Sequence, residues 1–236
     1  MKPARLVVML SLAAAVLLLI AGPGTRLGWW EFRTGFAFMR WAAFAGLATA
    51  ALAVLMLAVP RTRRAGAGPL LAALLIGLAT ALVPWRGLQQ ARSVPPIHDI
   101  TTDTTRPPEF VAILPLRADA PNPAAYGGAE LAQAQSGAYP DLRPHRIDAA
   151  PAQAFERALQ AARAMGWEIV AADAADGRIE ATDTTLWFGF KDDVVVRVES
   201  AGNGSRVDVR SVSRVGASDV GTNAKRIRAY LRKLGT

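Results

Sequence analysis

Residues 41–59 read WAAFAGLATAALAVLMLAV, from Trp41 to Val59, without one ionisable side chain. A helix that crosses a bilayer needs about 20 mostly apolar residues, and this run meets that length before Pro60 ends it. Two neighbours share its character. Leu6 to Ala21 lies between Lys2 and Arg5 on one side and Pro23 on the other. Ala65 to Trp85 is richer in glycine, with Pro69 and Pro84 near its ends. Trp29, Trp30, Trp41 and Trp85 fall near the ends of these runs, where amphipathic rings settle at the headgroup level. Three transmembrane helices are therefore expected within residues 1–86. The other reading of the first run is a cleaved signal peptide processed at Ala21-Gly22. Arg40 sits at the edge of the second run, where its long stem reaches the interface.

Charge divides the chain at the same place. The whole 236-residue chain has a formal charge of +8. Residues 1–96 hold ten Lys and Arg against one acid, Glu31, a net +9. Residues 97–236 hold seventeen against eighteen, a net −1. The basic excess belongs to the loops of the apolar helices, so nucleic acid is not an expected partner. Positive residues favour the cytoplasmic side. The short loop Arg61-Thr62-Arg63-Arg64 and the N-terminal Lys2 and Arg5 are accordingly assigned there, two crossings apart. The third helix then delivers everything after Arg86 to the outer side, the periplasm of a bacterial inner membrane. Arg26 and Arg33 in the first loop oppose this bias, and Glu31 dilutes them.

With no cysteine, the chain has no thiol chemistry or disulfides, and two histidines make a histidine-rich metal site a poor expectation. No cofactor or metal is expected. The helices lack an internal acid or histidine for proton relay, which argues against a transporter. Small residues around Ala45, Gly46, Ala48 and Ala51 permit close helix packing, which leaves open a bundle that works in assembly with other membrane proteins.

Residues 87–147 carry prolines at Pro95-Pro96, Pro107-Pro108, Pro115, Pro121, Pro123, Pro140 and Pro144, which disfavour long helices and central strands. This stretch reads as an extended arm laid over a folded core of residues 148–236. In the core, Asp148 is the expected N-cap of a helix bearing Phe155, Leu159, Ala162 and Met165, with Gly166 as its stop. Strands are expected at Trp167–Ala172 and Arg178–Thr182, joined through Asp176-Gly177. A hairpin joins Asp193–Glu199 to Arg206–Val212 through Asn203-Gly204. Of its two registers, one opposes Arg197 with Arg210. The other pairs Ser200 with Ser205, Glu199 with Arg206 and Arg197 with Asp208, and it is preferred because unlike charges then meet. A last helix, Thr222–Leu234, buries Val220, Ala224, Ile227, Leu231 and Leu234. The expected fold class is α+β: three transmembrane helices, then a small antiparallel sheet with two packed helices in the order α-β-β-β-β-α.

Three motifs carry a family resemblance. Pro95-Pro96-Ile97-His98-Asp99-Ile100-Thr101-Thr102-Asp103, with Pro107-Pro108 following, opens the soluble part. Trp187-Phe188-Gly189-Phe190-Lys191-Asp192-Asp193 lies in its middle. Arg210-Ser211-Val212-Ser213-Arg214-Val215-Gly216, then Ser218-Asp219, Gly221, Asn223-Ala224 and Arg226-Ile227, closes it. Together they resemble the bacterial domain of unknown function 1499 family over residues 95–234, whose members often carry N-terminal membrane helices. The resemblance implies a domain boundary and no established activity.

The closing motif is the most polar stretch. Arg210, Ser211, Ser213, Arg214, Ser218, Asp219, Asn223 and Arg226 bring guanidiniums, hydroxyls and an amide to a strand-to-helix junction, where free N–H groups favour anions. They are the ligand-binding candidates, for an anionic small molecule or an envelope protein. The structural alternative has Asp219 capping the helix while the arginines pair with Asp192, Asp193 or Asp208. His98, Asp99, Thr102 and Asp103 then form a clasp that folds back on the arginines. A hydrolase built from His98, Asp99 and Ser211 or Ser213 lacks any strained elbow or oxyanion motif. Asp183, Asp192 and Asp193 lack calcium-loop spacing. Trp187, Phe188 and Phe190 are expected to pack under the sheet. The expected function is a membrane-anchored envelope protein that binds an anionic ligand or partner without catalysis. The alternative is a periplasmic hydrolase or transferase using the same polar region.

Overall fold

Apolar runs without backbone partners in lipid must bond internally, and all three runs here are helical. The computed structural model describes residues 3–235. It divides into two compact units, Met1–Gln90 with Leu186–Gly189, and Ala91–Thr185 with Phe190–Thr236.

The first unit contains α1 (Pro3–Arg26), α2 (Phe32–Ala58) and α3 (Pro60–Arg92). All three are long and apolar enough to cross a membrane. The shortest has 24 residues and rises about 36 Å at 1.5 Å per residue, more than a hydrocarbon core of about 30 Å. Helix α1 runs through Pro23 to Arg26 and so outlasts the expected end at Ala21. Helix α3 takes in the basic stretch of residues 61–64, expected as a loop, and breaks just after it at Gly66.

The burial pattern inverts that of a soluble bundle. Leu10, Leu19, Leu55 and Leu75 face outward, while Ala14, Ala53, Ala73 and Gly77 are inside. Helices α2 and α3 meet at Gly46 and Gly77, where a Cβ on Gly77 would lie 2.4 Å from the Gly46 carbonyl oxygen. Only glycine allows that approach. The buried Thr49 and Thr80 hydroxyls donate to the carbonyls of Gly46 and Ile76 within their own helices. Residues 186–189 belong to this unit at the α1–α2 turn. Trp187 lies against Gly22, the Phe188 ring is 5.0 Å from that of Phe36, and Arg26 donates to the Leu186 carbonyl at 2.7 Å. Trp187 and Phe188 are thus placed here and not under the sheet. At the other end of the bundle, Ala4 meets Gly66.

The second unit is a mixed α+β domain built on an antiparallel sheet. Its strands are β1 (Asp99–Thr101), β2 (His145–Ile147), β3 (Glu168–Asp173), β4 (Arg178–Thr184), β5 (Lys191–Ala201) and β6 (Gly204–Ser213). The order is β1-β6-β5-β4-β3, and β2 pairs with the opposite end of the β6 edge. The four expected strands are present, and the arm adds β1 and β2. It also adds α4 (Gly128–Ala138), which its prolines permit because none falls between Pro123 and Pro140.

The β5–β6 register pairs Ser200 with Ser205, Glu199 with Arg206 and Arg197 with Asp208, as charge complementarity demands. The turn is one residue earlier than expected, at Gly202-Asn203, with Ala201 paired to Gly204. Gly202 has φ +65°, the positive value that the first central position of a type II′ turn requires.

Helices α5 (Pro151–Ala164) and α6 (Thr222–Leu234) cover one face of the sheet. Helix α5 begins at Pro151, with Ala150 at the N-cap and not Asp148, because proline suits the first helical position. Beneath the helices, Phe155, Leu159, Ile179, Val194, Val196, Val207, Val209 and Ile227 form one core. Tyr230 joins them, stacked on Trp167 with centroids 5.0 Å apart.

Candidate functional site

Alternation along β5 and β6 sends charged side chains to the face away from α5 and α6, where the arm covers them. Two apolar contacts seat the arm there, with Phe110 and Ile113 against Val195 and Val212. Most of its buried side-chain contacts are ionic.

Arg210 is 2% exposed. Its Nε and Nη2 donate to both oxygens of Asp99, at 2.9 and 2.8 Å, in the bidentate geometry that suits a guanidinium. Its remaining donors reach the Pro108 and Ala124 carbonyls at 3.2 and 2.7 Å. The Phe110 and Tyr126 rings lie 5.2 and 5.4 Å from its central carbon. Burial pushes the Tyr126 hydroxyl up to about 12.

Asp193, fully buried, accepts from Arg117 at 3.0 Å, from Arg214 at 2.9 and 2.8 Å, and from Thr182 at 2.8 Å. Glu180, also fully buried, accepts from the backbone N–H groups of Val111, Ala112 and Ile113 at 2.9–3.1 Å, and from Arg178 at 3.0 Å. Those N–H groups begin the 3-10 turn Leu114–Arg117. A helical N-terminus attracts an anion, and here the fold supplies its own.

Asp103 and Asp208 share Arg197 and Arg206, at 2.5–3.0 Å for the closest oxygens. Thr102 accepts from the Val209 N–H at 2.9 Å, its hydroxyl standing where a ladder carbonyl would. Burial works to raise the Asp103 carboxyl. The Arg106 and Thr105 N–H donors, with Arg206 and Arg197, outweigh it and hold the group below its ordinary value. A carboxyl lowered on folding adds stability above its unfolded pKa of about 3.9, and that contribution is lost as pH falls through the folded value. The stability gap between the wild-type protein and D103N is therefore expected to shrink as pH falls from about 5 to 2. Urea midpoints in neutral detergent would measure it, and a constant gap would contradict this assignment.

On the opposite face, the polar end of the core is organised by α6. Asn223 donates to the His98 carbonyl at 2.8 Å and the Ser213 hydroxyl at 3.1 Å, and accepts from Ser211 at 2.8 Å. Arg226 bridges Asp183 at 2.7 Å and Asp192 at 2.6 Å, and contacts Ser211 and Asn223. Asp219 accepts from the Gly221 and Asn223 N–H groups at 2.8 and 2.7 Å. Burial raises its carboxyl above the ordinary value despite those two donors. Ser218 accepts from the Val220 N–H at 3.1 Å. Val220 has φ +56°, a strained value for a β-branched residue, and these two side chains hold it there.

The ligand candidates thus divide between two faces. Arg210 and Arg214 lie under the arm, and Ser211 and Ser213 meet Asn223 and Arg226 of α6 on the other face. Asp99 and Asp103 clasp arginines, as do Asp192 and Asp193, whereas His98 contributes its backbone carbonyl. Among the described residues, no three metal-ligating side chains converge. Sequence reasoning missed Glu180, Arg117 and Gln135. Glu180 was legible in principle, because alternation along β4 aligns it with Arg178 and Thr182.

The opening and closing motifs meet directly. Strand β1 pairs Asp99 with Val212 and Thr101 with Arg210. The family described as "Protein of unknown function (DUF1499)" matches residues 99–234, from the first residue of β1 to the last of α6. The chain belongs to this family. Among curated proteins, none matches the chain. The DUF1499 match includes residues 99–147 of the arm, so that part of it belongs to the domain as much as the hairpin it covers. Three apolar helices beside a DUF1499 domain are the features of a membrane-anchored protein.

Proposed function

We propose that this is a membrane-anchored binding protein whose DUF1499 domain lies in the periplasm and takes an anionic ligand or an envelope partner without catalysis. One observation carries the reading. Each candidate hydroxyl, carboxylate and guanidinium of the closing motif, from Arg210 to Arg226, already has a partner inside the fold. Nucleophiles and bases act when their lone pairs are free for substrate, whereas Ser211 and Ser213 are engaged in holding α6 to β6 and Asp219 in binding the N–H groups at the start of α6. Arg210, Arg214, Asn223 and Arg226 serve as the framework that keeps the domain surface in shape for binding.

The sidedness rests on Arg61, Arg63 and Arg64. Within the helical unit, residues 186–189 lie at the α1–α2 turn, the end away from that basic stretch. An exported phosphatase fused after Thr236 is expected to be active, and a cytosol-dependent fluorescent reporter at the same place dark. The reverse pattern would overturn the location. Turnover by the purified full-length protein that is lost in Ser213→Ala would overturn the non-catalytic role.

A further inference from the structure

A cleft of about 780 Å³ opens in the second unit between the start of the arm and α4. Small-molecule sites typically measure about 300–1,000 Å³. Its lining includes Arg106, Arg143 and Arg206 against one carboxylate, Asp103. Asp103 and Asp208 hold Arg206, and Glu199 holds Arg106. Arg143 differs. It is exposed, and its Nε donates to the Pro140 carbonyl at 3.1 Å. It makes no ion pair with an acid among the described residues, so its two terminal nitrogens present an open fork.

A second observation comes from Tyr139, which also lines the cleft. The residue is 7% exposed, and its buried hydroxyl has no hydrogen-bond partner among the described residues. Buried polar groups are normally satisfied, and this one is left unpaired behind the cleft wall. Burial raises this hydroxyl above its ordinary value, which keeps it protonated and a donor at neutral pH. The ring is fixed from behind. The Arg228 guanidinium lies 5.4 Å from its centroid and is itself held by both oxygens of Asp141 at 2.6 and 2.7 Å. Leu142 supplies an apolar contact beside the ring.

We infer that this cleft binds a small molecule carrying an oxyanion, taken by the Arg143 fork, on a ring or short apolar body that packs at Tyr139 and Leu142. The inference rests on the binding role proposed above and adds its place and ligand class. A planar guanidinium matches a phosphate or carboxylate in two parallel bonds, which lysine cannot reproduce. The source of the oxyanion is either a soluble metabolite or an anionic lipid headgroup.

Full-length protein in neutral detergent is the material for the test, with phenyl phosphate as the probe. Phenyl phosphate is expected to raise the melting temperature, and phenol or inorganic phosphate to do so only at concentrations at least about tenfold higher. Arg143→Ala should melt like the wild-type protein without ligand, because the side chain is exposed, yet bind phenyl phosphate about tenfold or more weakly. Tyr139→Phe keeps the ring on which the apolar body packs, and it should bind phenyl phosphate as the wild-type protein does. In nanodiscs, displacement of phenyl phosphate by phosphatidylglycerol but not phosphatidylcholine assigns the site to a lipid headgroup. Absence of displacement assigns it to a soluble anion, and both outcomes support the cleft. Equal affinity in the wild-type protein and Arg143→Ala overturns the cleft and leaves the binding role standing. No stabilisation by any anion overturns both.

Discussion

Replacing Arg210 with alanine is expected to destabilise the DUF1499 domain by about 3–5 kcal/mol, the usual cost of orphaning one partner of a buried ion pair. The Asp99 carboxylate would remain buried against β6 with both bidentate donors gone. The Pro108 and Ala124 carbonyls would lose a donor as well, and the Phe110 and Tyr126 rings would close on a cavity. Asp99→Ala should be nearly as severe. The double variant should cost clearly less than the two single losses added together, because an unpaired charge no longer remains. Denaturant melts of the four proteins in neutral detergent measure the coupling. Simple additivity would mean that the pair contributes nothing specific. Arg210→Lys should not rescue, since an ammonium cannot serve two carboxylate oxygens and two carbonyls at once.

A second loss of about 3–5 kcal/mol is expected for Glu180→Ala, by a different route. Three backbone N–H groups at the start of the 3-10 turn would lose their acceptor, and Arg178 would lose its inner partner. Glu180→Gln keeps one carbonyl oxygen and should fall between alanine and the wild-type protein. The effect should be local. Hydrogen exchange should accelerate first at Val111, Ala112 and Ile113, and slow exchange persisting there in the alanine variant would show that another acceptor serves them.

Why some of this was readable from residues alone follows from the kinds of signal involved. The spans were legible because lipid tolerates no ionised side chain, and Trp41–Val59 has none. The hairpin register was legible because Arg197, Glu199, Arg206 and Asp208 alternate with valines and admit one pairing that joins unlike charges. The same logic anticipated Asp192 and Asp193 as arginine partners and Asp99 as part of a clasp. Strands β1 and β2 were not legible, since three residues carry no periodicity and prolines flank them. Helix α4 reads GAELAQAQSGA and has little contrast between its faces. Its anchor is one residue, Gln135, whose amide exchanges bonds of 2.9 and 2.6 Å with the Thr101 backbone. Depth was the other hidden quantity. Asp193, Glu180 and Arg210 look like surface charges until the arm is in place, and nothing in β5 or β6 announces a cover contributed from 70 to 110 residues away. The Arg143 and Tyr139 cleft was hidden for the same reason, because α4 and the start of the arm build it together.

The bond between Asp99 and Arg210 spans 111 residues of chain. As the ribosome delivers the polypeptide from its N-terminus, Asp99 emerges long before its guanidinium exists. Until then the edge it will occupy is not formed, and the acidic segment stays hydrated. Closing so wide a loop is slow compared with forming the β5–β6 hairpin, so docking of the arm is expected late in folding. A truncated product ending before Arg210 would lack Val212 and leave Phe110 and Ile113 only half covered, by Val195, and quality-control machinery is adapted to find such segments.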